Sequence, residues 1–585
     1  MSVRLLLALS ATLTIAAVVT IVAIARSAAT AQQGGEQGQV LRLAYADDPD
    51  TINMLTASDT VSEAFQREVY EPLADRDFAN PETWTPYLAT HWEFDEKTLT
   101  YTIHLRRGVY WHPMQLPNGQ WLPKTEFTAR DVKFTFDCIL NPHIEATTLR
   151  ADYEDPESTD PTNPYKIEVT AVGKHTVKIR WKKPYFEAQS RTLSVPIIPR
   201  HVYSVDENGE PIALDFSLKE FADGFNNHWA NTKMCGTGPL IFKEWQRGQR
   251  LVLVRNPEYW GKPLLFRRVD YRYVPNINTM TQKVLQNDLD FAAIARADQY
   301  LEARTRPSVL DGRVKLVVYD DPGYRYVGYN MNRDLFKDRR VRRALSHAVP
   351  VQRIIDEVWK GLAVPITGPF LPGSSASDDS IRPIAFDLDK ARQLLDEAGW
   401  RDADRDGIRW QLIRGRRVPA RFELMIYSDA PNYRTVAEII KENCRKIGVD
   451  VEIAPAKWAL LLQKLLKRDF DACMLGWALT WDMDPFAIWH GSQADLPDSS
   501  NQIGYRNPEV DKLIDQLRVT LDEKKQVVLF HKIHRLIYDD QPYTFLFQDK
   551  ATAAYDSRLE NVRFYKIRPC YNVREWTVGG MTKHE

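Results

Sequence analysis

CGTGPLIFKEWQRGQRLVLVRNPEYWG, residues 235–261, is the stretch that decides the fold. Gly236-Thr237-Gly238-Pro239 makes a tight, glycine-rich approach to an apolar strand, PLIFKEW. A turn at Gln246-Arg247-Gly248-Gln249 leads into a second apolar run, LVLV, and the pair reads as a β-hairpin. Arg255-Asn256-Pro257 breaks the second strand, and Tyr259-Trp260 caps it with two aromatic rings. These residues predict a buried hairpin inside a larger fold.

Outward from this hairpin, strand and helix patterns alternate. Leu41 to Ala46 reads as a strand, followed by a helix from Val61 to Leu73. Thr98 to Arg106 alternates at period two, and Thr128-x-x-Asp131 is a capping box opening a helix that ends near Leu140. Strands are expected near 166–182. Phe422 to Tyr427, Val436 to Ile447 and Val449 to Ile453 form a strand–helix–strand unit. A helix from Lys457 to Lys467 precedes a strand from Asp471 to Trp477. Helices at 508–521 and 523–538 lead to a strand from Thr544 to Phe547. No internal repeat is visible, and the alternation indicates α/β lobes.

The chain has 585 residues, more than the usual share of one domain, about 100–200, so two or three lobes are expected. With 77 basic and 78 acidic side chains, its formal net charge is -1, and nothing in that balance points to nucleic acid or an anionic membrane as the main partner. Aromatic residues make up 11%, including 16 Trp, fitting either large cores or a contact-rich cleft.

Leu5 to Ile24 is an apolar run followed by Ala29-Thr30-Ala31, an A-x-A pattern. Residues 1–31 therefore read as a signal peptide cleaved before Gln32, or, since the run is long enough to span, as an uncleaved anchor over 5–24. Both readings export the rest of the chain, with 32–39 as a polar tether. The five cysteines are widely spaced, contain no CxxC and argue against structural zinc.

The 235–261 stretch resembles the signature of the dipeptide/oligopeptide/nickel-type solute-binding proteins of ABC importers (family 5), where a GTGPY-x5-W block precedes an RNPxYW block. LTYTIHLRRGVYWH at 99–112 with TARDVKFTF at 128–136 is similar to the family's strand, turn and helix block. VRRALSHAV at 341–349, FDLDKARQLLDEAGW at 386–400, MLGWALTWDMDP at 474–485 and NPEVDKLIDQL at 507–517 match in the family's order. The resemblance implies an α/β, two-lobed periplasmic-binding-protein fold with an extra domain inserted in the first lobe. Carried onto this chain, lobe one is 40–78, 203–273 and 548–585, the inserted domain is 79–202, and lobe two is 274–547. It also implies a monomer without cofactor or metal, which binds a short peptide, or an oligosaccharide, in a periplasmic cleft and serves an inner-membrane ABC permease. An anchored sensor built on the same fold is the alternative.

The sequence contains no G-x-S-x-G elbow, H-E-x-x-H helix, P-loop or G-x-G-x-x-G turn, so a hydrolase is the lesser reading. Asp402-x-Asp404-x-Asp406-Gly407 begins like a calcium loop, but Ile413 stands where the twelfth-position carboxylate belongs, and a polar turn is expected. His531 and His534, at i, i+3, are expected on a solvated helix face, and His112 has no obvious partner.

The ligand is expected at GWALTWDMDPFAIWH, 476–490, which follows a predicted strand, where α/β folds place binding loops. Trp477, Trp481, Asp482 and Asp484 are its candidates; a loop whose Trp residues merely plug the lobe is the competing reading. In peptide-binding members this region reads GW-x-x-D-x-x-[DE]-P, and the internal Asp grips the peptide's α-amino group. Here the spacing is one residue longer. Thr480 or Trp481 falls at the gripping position, and Asp482 serves only if the loop is rearranged. Asp59 and Thr60 of lobe one are candidates for the opposite wall, and Trp458 is a further one.

Overall fold

The computed structural model describes residues 40–579, apart from 58, 156–157, 161–163, 213–214 and 405. The signal-peptide or anchor segment and the tether lie outside the described residues. Among the described residues, no helix is long and apolar enough to cross a membrane.

The hairpin forms as expected, from strands Leu240–Gln246 and Arg250–Arg255. It extends into a four-stranded sheet through Arg268–Tyr273 to Val40–Tyr45, the last pair being parallel. The glycines before it are required by contact. A Cβ on Gly236 would lie 1.8 Å from the Val69 carbonyl oxygen, and one on Gly238 2.7 Å from that of Glu68. Gly238 N–H donates to Val69 O at 2.9 Å, and Leu240 N–H to Glu68 O at 3.2 Å. This corrects the helix expected over 61–73, which ends at Gln66 because the carbonyls that would continue it face the hairpin. His112, expected to lack a partner, is buried in the same contact. Gly236 N–H donates to its Nδ1 at 3.3 Å, so its Nε2–H donates to Gly238 O at 2.8 Å. Burial pushes its pKa down to about 4, keeping the ring neutral.

The other signature residues converge on one buried carboxylate, that of Glu71. It accepts from Thr237 Oγ1 at 3.0 Å, Tyr259 OH at 2.6 Å, Trp260 Nε1 at 2.8 Å and Arg574 at 3.3 Å. Arg574 also pairs with Glu68 at 3.1 Å, so the C-terminal segment is fastened to the hairpin.

A second sheet, antiparallel, has the order Ala89–Asp95, Thr100–Leu105, Thr176–Trp181, Ile167–Ala171. The helix Ala129–Leu140 covers it, capped as predicted by the reciprocal bonds of Thr128 and Asp131. This sheet and the first share one apolar core, from Leu41 through Ile103 and Phe134 to Trp576.

The third sheet is the largest. Arg421–Tyr427 pairs in parallel with Asp450–Ala456 and with Ala472–Ala478, the crossover helix being Pro431–Lys446. Ala472–Ala478 pairs with Gly323–Tyr329, which pairs with Tyr543–Asp556. The strand expected over 544–547 is longer, at 14 residues. Its first half pairs with Gly323–Tyr329 and Ala363–Pro365, and its second half with Phe291–Ile294 and Val314–Asp320. Ala553 and Ala554, between those two strands, are fully buried. At about 3.3 Å per residue it runs roughly 45 Å. Apolar clusters lie on both faces of this sheet: helices 339–347, 388–397 and 431–446 cover one, and helices 458–466, 508–518 and 523–540 the other.

His534 corrects the expected solvated face: it is buried, accepts Asp378 N–H at Nδ1 at 3.0 Å and meets Thr367 Oγ1 at 3.2 Å. Its neighbour His531 is half-buried, with Nε2 3.1 Å from the Ser375 carbonyl oxygen. Asp402, Asp404 and Asp406 converge on a turn. Trp410 Nε1 donates to Asp404 at 2.7 Å, and Arg417 pairs with Asp404 and, at 3.6 Å, with Asp406. All five cysteines are buried free thiols.

Candidate functional site

The loop after Ala472–Ala478 leaves the carboxyl end of a central strand and immediately becomes polar. Thr480 Oγ1 donates to Asp482 O, and the Asp484 carboxylate accepts Phe486 N–H at 3.0 Å, starting the short helix Phe486–Trp489. Trp489 is fully buried and plugs the lobe, so the structural reading of the loop's tryptophans holds for that one. Trp481 and Asp482 are left half-buried at the surface facing the second sheet.

Two polar links cross from this loop to the other side. Asp482 pairs with Arg76 at 2.6 Å and accepts Ser190 Oγ–H at 2.9 Å; the Arg76 guanidinium stacks over Trp84 at 4.4 Å. Asp484 pairs with Arg518 at 2.9 Å, and Arg518 lies over the ring of Phe486 at 4.1 Å. Tyr185 OH reaches Asp484 at 3.5 Å and Glu187 at 2.8 Å, and Phe186 N–H donates to Arg518 O at 2.9 Å. Glu187 is buried and pairs with Arg191 through one oxygen; its Oε1 has no partner among the described residues. Burial pushes the Glu187 carboxyl upward against the pull of Arg191.

Between these links lies a cavity of about 340 Å³. Phe94, Tyr101 and Ser190 wall one side, and Trp481, Asp482 and Phe530 the other. Its size and its mixture of aromatic faces with a few carboxylate and hydroxyl groups suit a small organic ligand bearing a cation and an apolar part.

Of the residues singled out in the sequence, the structure brings Trp481 and Asp482 together in this cavity. The others are placed elsewhere. Trp477 Nε1 donates to Tyr543 OH at 3.4 Å within the second-lobe core. Asp484 is held by Arg518. Asp59 caps the helix Thr60–Gln66 by accepting Val61 and Ser62 N–H, and Thr60 is exposed beside it. Trp458 is 52% exposed and meets Tyr427 edge-on. Arg76, Ser190, Tyr185 and Glu187 were missed by the sequence reading. They stand some 290 to 400 residues from the loop, and no local pattern marks them.

Comparison with known proteins bears on the same loop, since the family model of bacterial extracellular solute-binding proteins, family 5, matches residues 83–496. The chain belongs to this family. Its similarity to the oligopeptide-binding protein AppA of Bacillus subtilis is 27% identity over 563 residues, 94% of this chain and 93% of that one. The dipeptide-binding protein of Escherichia coli is 26% identical over 534 residues, 86% of this chain and 88% of its own. Among solved structures, Bacillus subtilis AppA in complex with a nonapeptide superposes with a TM-score of 0.69 at 26% identity, covering 92% of this chain and 98% of that one. NikA of Brucella suis, in complex with Fe(III)-EDTA, gives 0.72 at 22% identity over 92% and 99%, a likeness of fold. This solute-binding protein therefore has the two-lobed α/β architecture of the family, acts outside the cytoplasm, and binds its substrate rather than transforming it.

Proposed function

We propose that this protein captures a short peptide in the cleft between its lobes and delivers it to an inner-membrane ABC permease. The observation that carries this reading is the match to an oligopeptide-binding protein along 94% of the chain, combined with a cavity at the loop where a ligand was expected. Asp482 is the acceptor for the peptide's ammonium. In the structure described here Arg76 supplies the opposing charge; an incoming ammonium takes that place, so Asp482 stays paired while Arg76 keeps the Pro81 carbonyl and the face of Trp84. Trp481 and Phe94 offer flat apolar faces to the first side chain. Trp477 and Asp484 support the loop from behind. No ligand contact is assigned to Asp59, Thr60 or Trp458.

The lobes close over the ligand by a shift between open and closed forms. The hinge lies where the chain passes Asp320–Gly323 and where the long strand changes partners at Gln548–Lys550. The segment 274–320, assigned to lobe two from the sequence, goes with lobe one in this proposal, because Val274, Val284 and Ile294 pack with Ala44 and Ala46. The mature protein is a periplasmic monomer, beginning at Gln32 or held by residues 5–24, which N-terminal sequencing of the exported protein distinguishes.

Calorimetric titration with matched peptides tests the anchor. Free-amine peptides are expected to bind at least about tenfold more tightly than their N-acetylated forms, and Asp482→Asn to abolish the difference. Equal affinity for both forms would move the anchor away from Asp482. Binding of oligosaccharides with none of peptides would overturn the substrate assignment.

A further inference from the structure

The outer face of the inserted sheet carries a group of metal-ligating side chains that the cleft does not use. His91 on Ala89–Asp95 and His104 on Thr100–Leu105 are direct cross-strand partners. Their rings stack at 4.3 Å between centroids with 10° between planes. Glu93 stands two residues beyond His91 and therefore on the same face. One ligand atom from each of the three lies within 4.8 Å of the others. His91 and Glu93 are exposed and His104 half-buried, so the trio is open to solvent.

The hydrogen bonding around it orients His91. Thr90 has one hydroxyl hydrogen, and it goes to the His104 carbonyl at 3.1 Å. The contact between Thr90 Oγ1 and His91 Nδ1, also 3.1 Å, must then have His91 Nδ1–H as donor. The neutral ring is thus the Nδ1–H tautomer, with the Nε2 lone pair turned outward, which is how a metal-binding histidine is commonly held. Among the described residues none of the three side chains has an ion-pair partner.

We propose that His91, Glu93 and His104 bind a divalent transition-metal ion, Zn²⁺ foremost, with water completing a tetrahedral site. Two imidazoles and a carboxylate suit a borderline ion and leave one position open. Bond lengths of about 2.0–2.1 Å place tetrahedral ligand atoms roughly 3.3 Å apart, and since the lone pairs of stacked rings lie in parallel planes, binding turns the His91 and His104 rings out of their stack about the side-chain bonds, which their solvent-facing position allows. The site lies behind the cleft wall: Phe94 and Tyr101, which line the cavity, point to the opposite face of the same two strands. It is a site separate from the peptide cleft and independent of the peptide reading.

The test uses the full exported chain without an affinity tag, titrated with Zn²⁺ by calorimetry and with Co²⁺ by visible absorption. One site is expected, with the intense Co²⁺ bands of tetrahedral coordination. His91→Ala and His104→Ala each weaken Zn²⁺ by more than about 100-fold. Thr90→Val, which removes only the orienting hydroxyl, weakens it by about tenfold. Unchanged thermal unfolding of the metal-free variants shows that the fold is intact. Weak binding with octahedral Co²⁺ spectra overturns the site. So does affinity that survives in the double variant His91→Ala/His104→Ala, which places the ion elsewhere, as at the Asp402 turn.

Discussion

Replacing Glu71 by Gln tests whether the 235–261 signature is a structural hub. The Glu71 carboxylate is buried and receives Thr237, Tyr259, Trp260 and Arg574. A carboxylate offers acceptors on both oxygens; a Gln amide offers one oxygen and two N–H donors. At least one donor among the four then faces another donor, and Arg574, whose side chain is only 17% exposed, is left with Glu68 and the Arg67 carbonyl. Removing one member of a buried ion pair costs about 3–5 kcal/mol, and a single charge-assisted hydrogen bond about 1.5–3 kcal/mol. The two estimates overlap near 3 kcal/mol, and we expect about 3–5 kcal/mol for the whole change. For a unit of 150–250 residues each kcal/mol lowers Tm by about 2–4 °C, so the fall is about 6–20 °C. Urea unfolding followed by tryptophan fluorescence is the assay: the midpoint should drop while the slope stays constant. Peptide affinity at low temperature should not change, because Glu71 does not line the cavity. A loss below about 1 kcal/mol, or a normal midpoint with lost binding, would refute the reasoning.

Gly236→Ala should be more damaging still, since its Cβ would overlap the Val69 carbonyl; we expect more than about 4 kcal/mol or failure to fold, and near-normal stability would contradict the packing. Arg76 and Asp482 are 20% and 24% exposed, between surface and core, so a double-mutant cycle with Arg76→Ala and Asp482→Ala should give a coupling of about 1–2 kcal/mol in the ligand-free protein. Zero coupling would remove the pair as a link between the lobes. His112 and His534 are each pushed down to about 4 by burial, so the fold holds them neutral while the unfolded chain takes up protons below about 6.5. Their contribution is complete above about pH 6.5 and is lost as pH falls toward 4, by up to roughly 3 kcal/mol each. Asp131, raised to about 6 by burial, opposes this in part. A His534→Gln variant should therefore show a flatter dependence of Tm on pH between 6.5 and 4.5, and parallel curves would count against the buried neutral ring.

The elements legible in the sequence were those whose local pattern and tertiary role agree. The hairpin, the capped helix 129–140 and the strand–helix–strand unit at 421–456 each carry a period or cap that packing leaves intact. The helix after Thr60 ends early because the glycine-rich turn, some 170 residues away, takes its carbonyls, and nothing between Val61 and Leu73 announces that. The strand from Tyr543 continues to Asp556 because partners distant in sequence, at 291–294 and 314–320, cover KATAAY; its weak apolar pattern shows no sign of them. His534 looked solvated from its charged neighbours, but Thr367 and Asp378 arrive from another segment to bury it. The site was half legible. A loop dense in Trp and Asp at a strand end pointed to Trp481 and Asp482, while the groups that meet Asp482, Arg76 and Ser190, come from a sheet edge and a short helix without a motif. Asp59 looked like a binding residue because its loop matches the lobe-one loop that faces the ligand in the resembling family, and its carboxylate accepts the Val61 and Ser62 N–H groups as the cap of the following helix.

The most direct test of the account is mass spectrometry of what is released when the protein, purified from its exported form without added ligand, is denatured. The account predicts that the closed cleft retains its ligand through purification and releases a set of short peptides with free amino termini. Hexose-spaced masses would contradict the peptide assignment and leave Trp481 as a platform for a sugar ring.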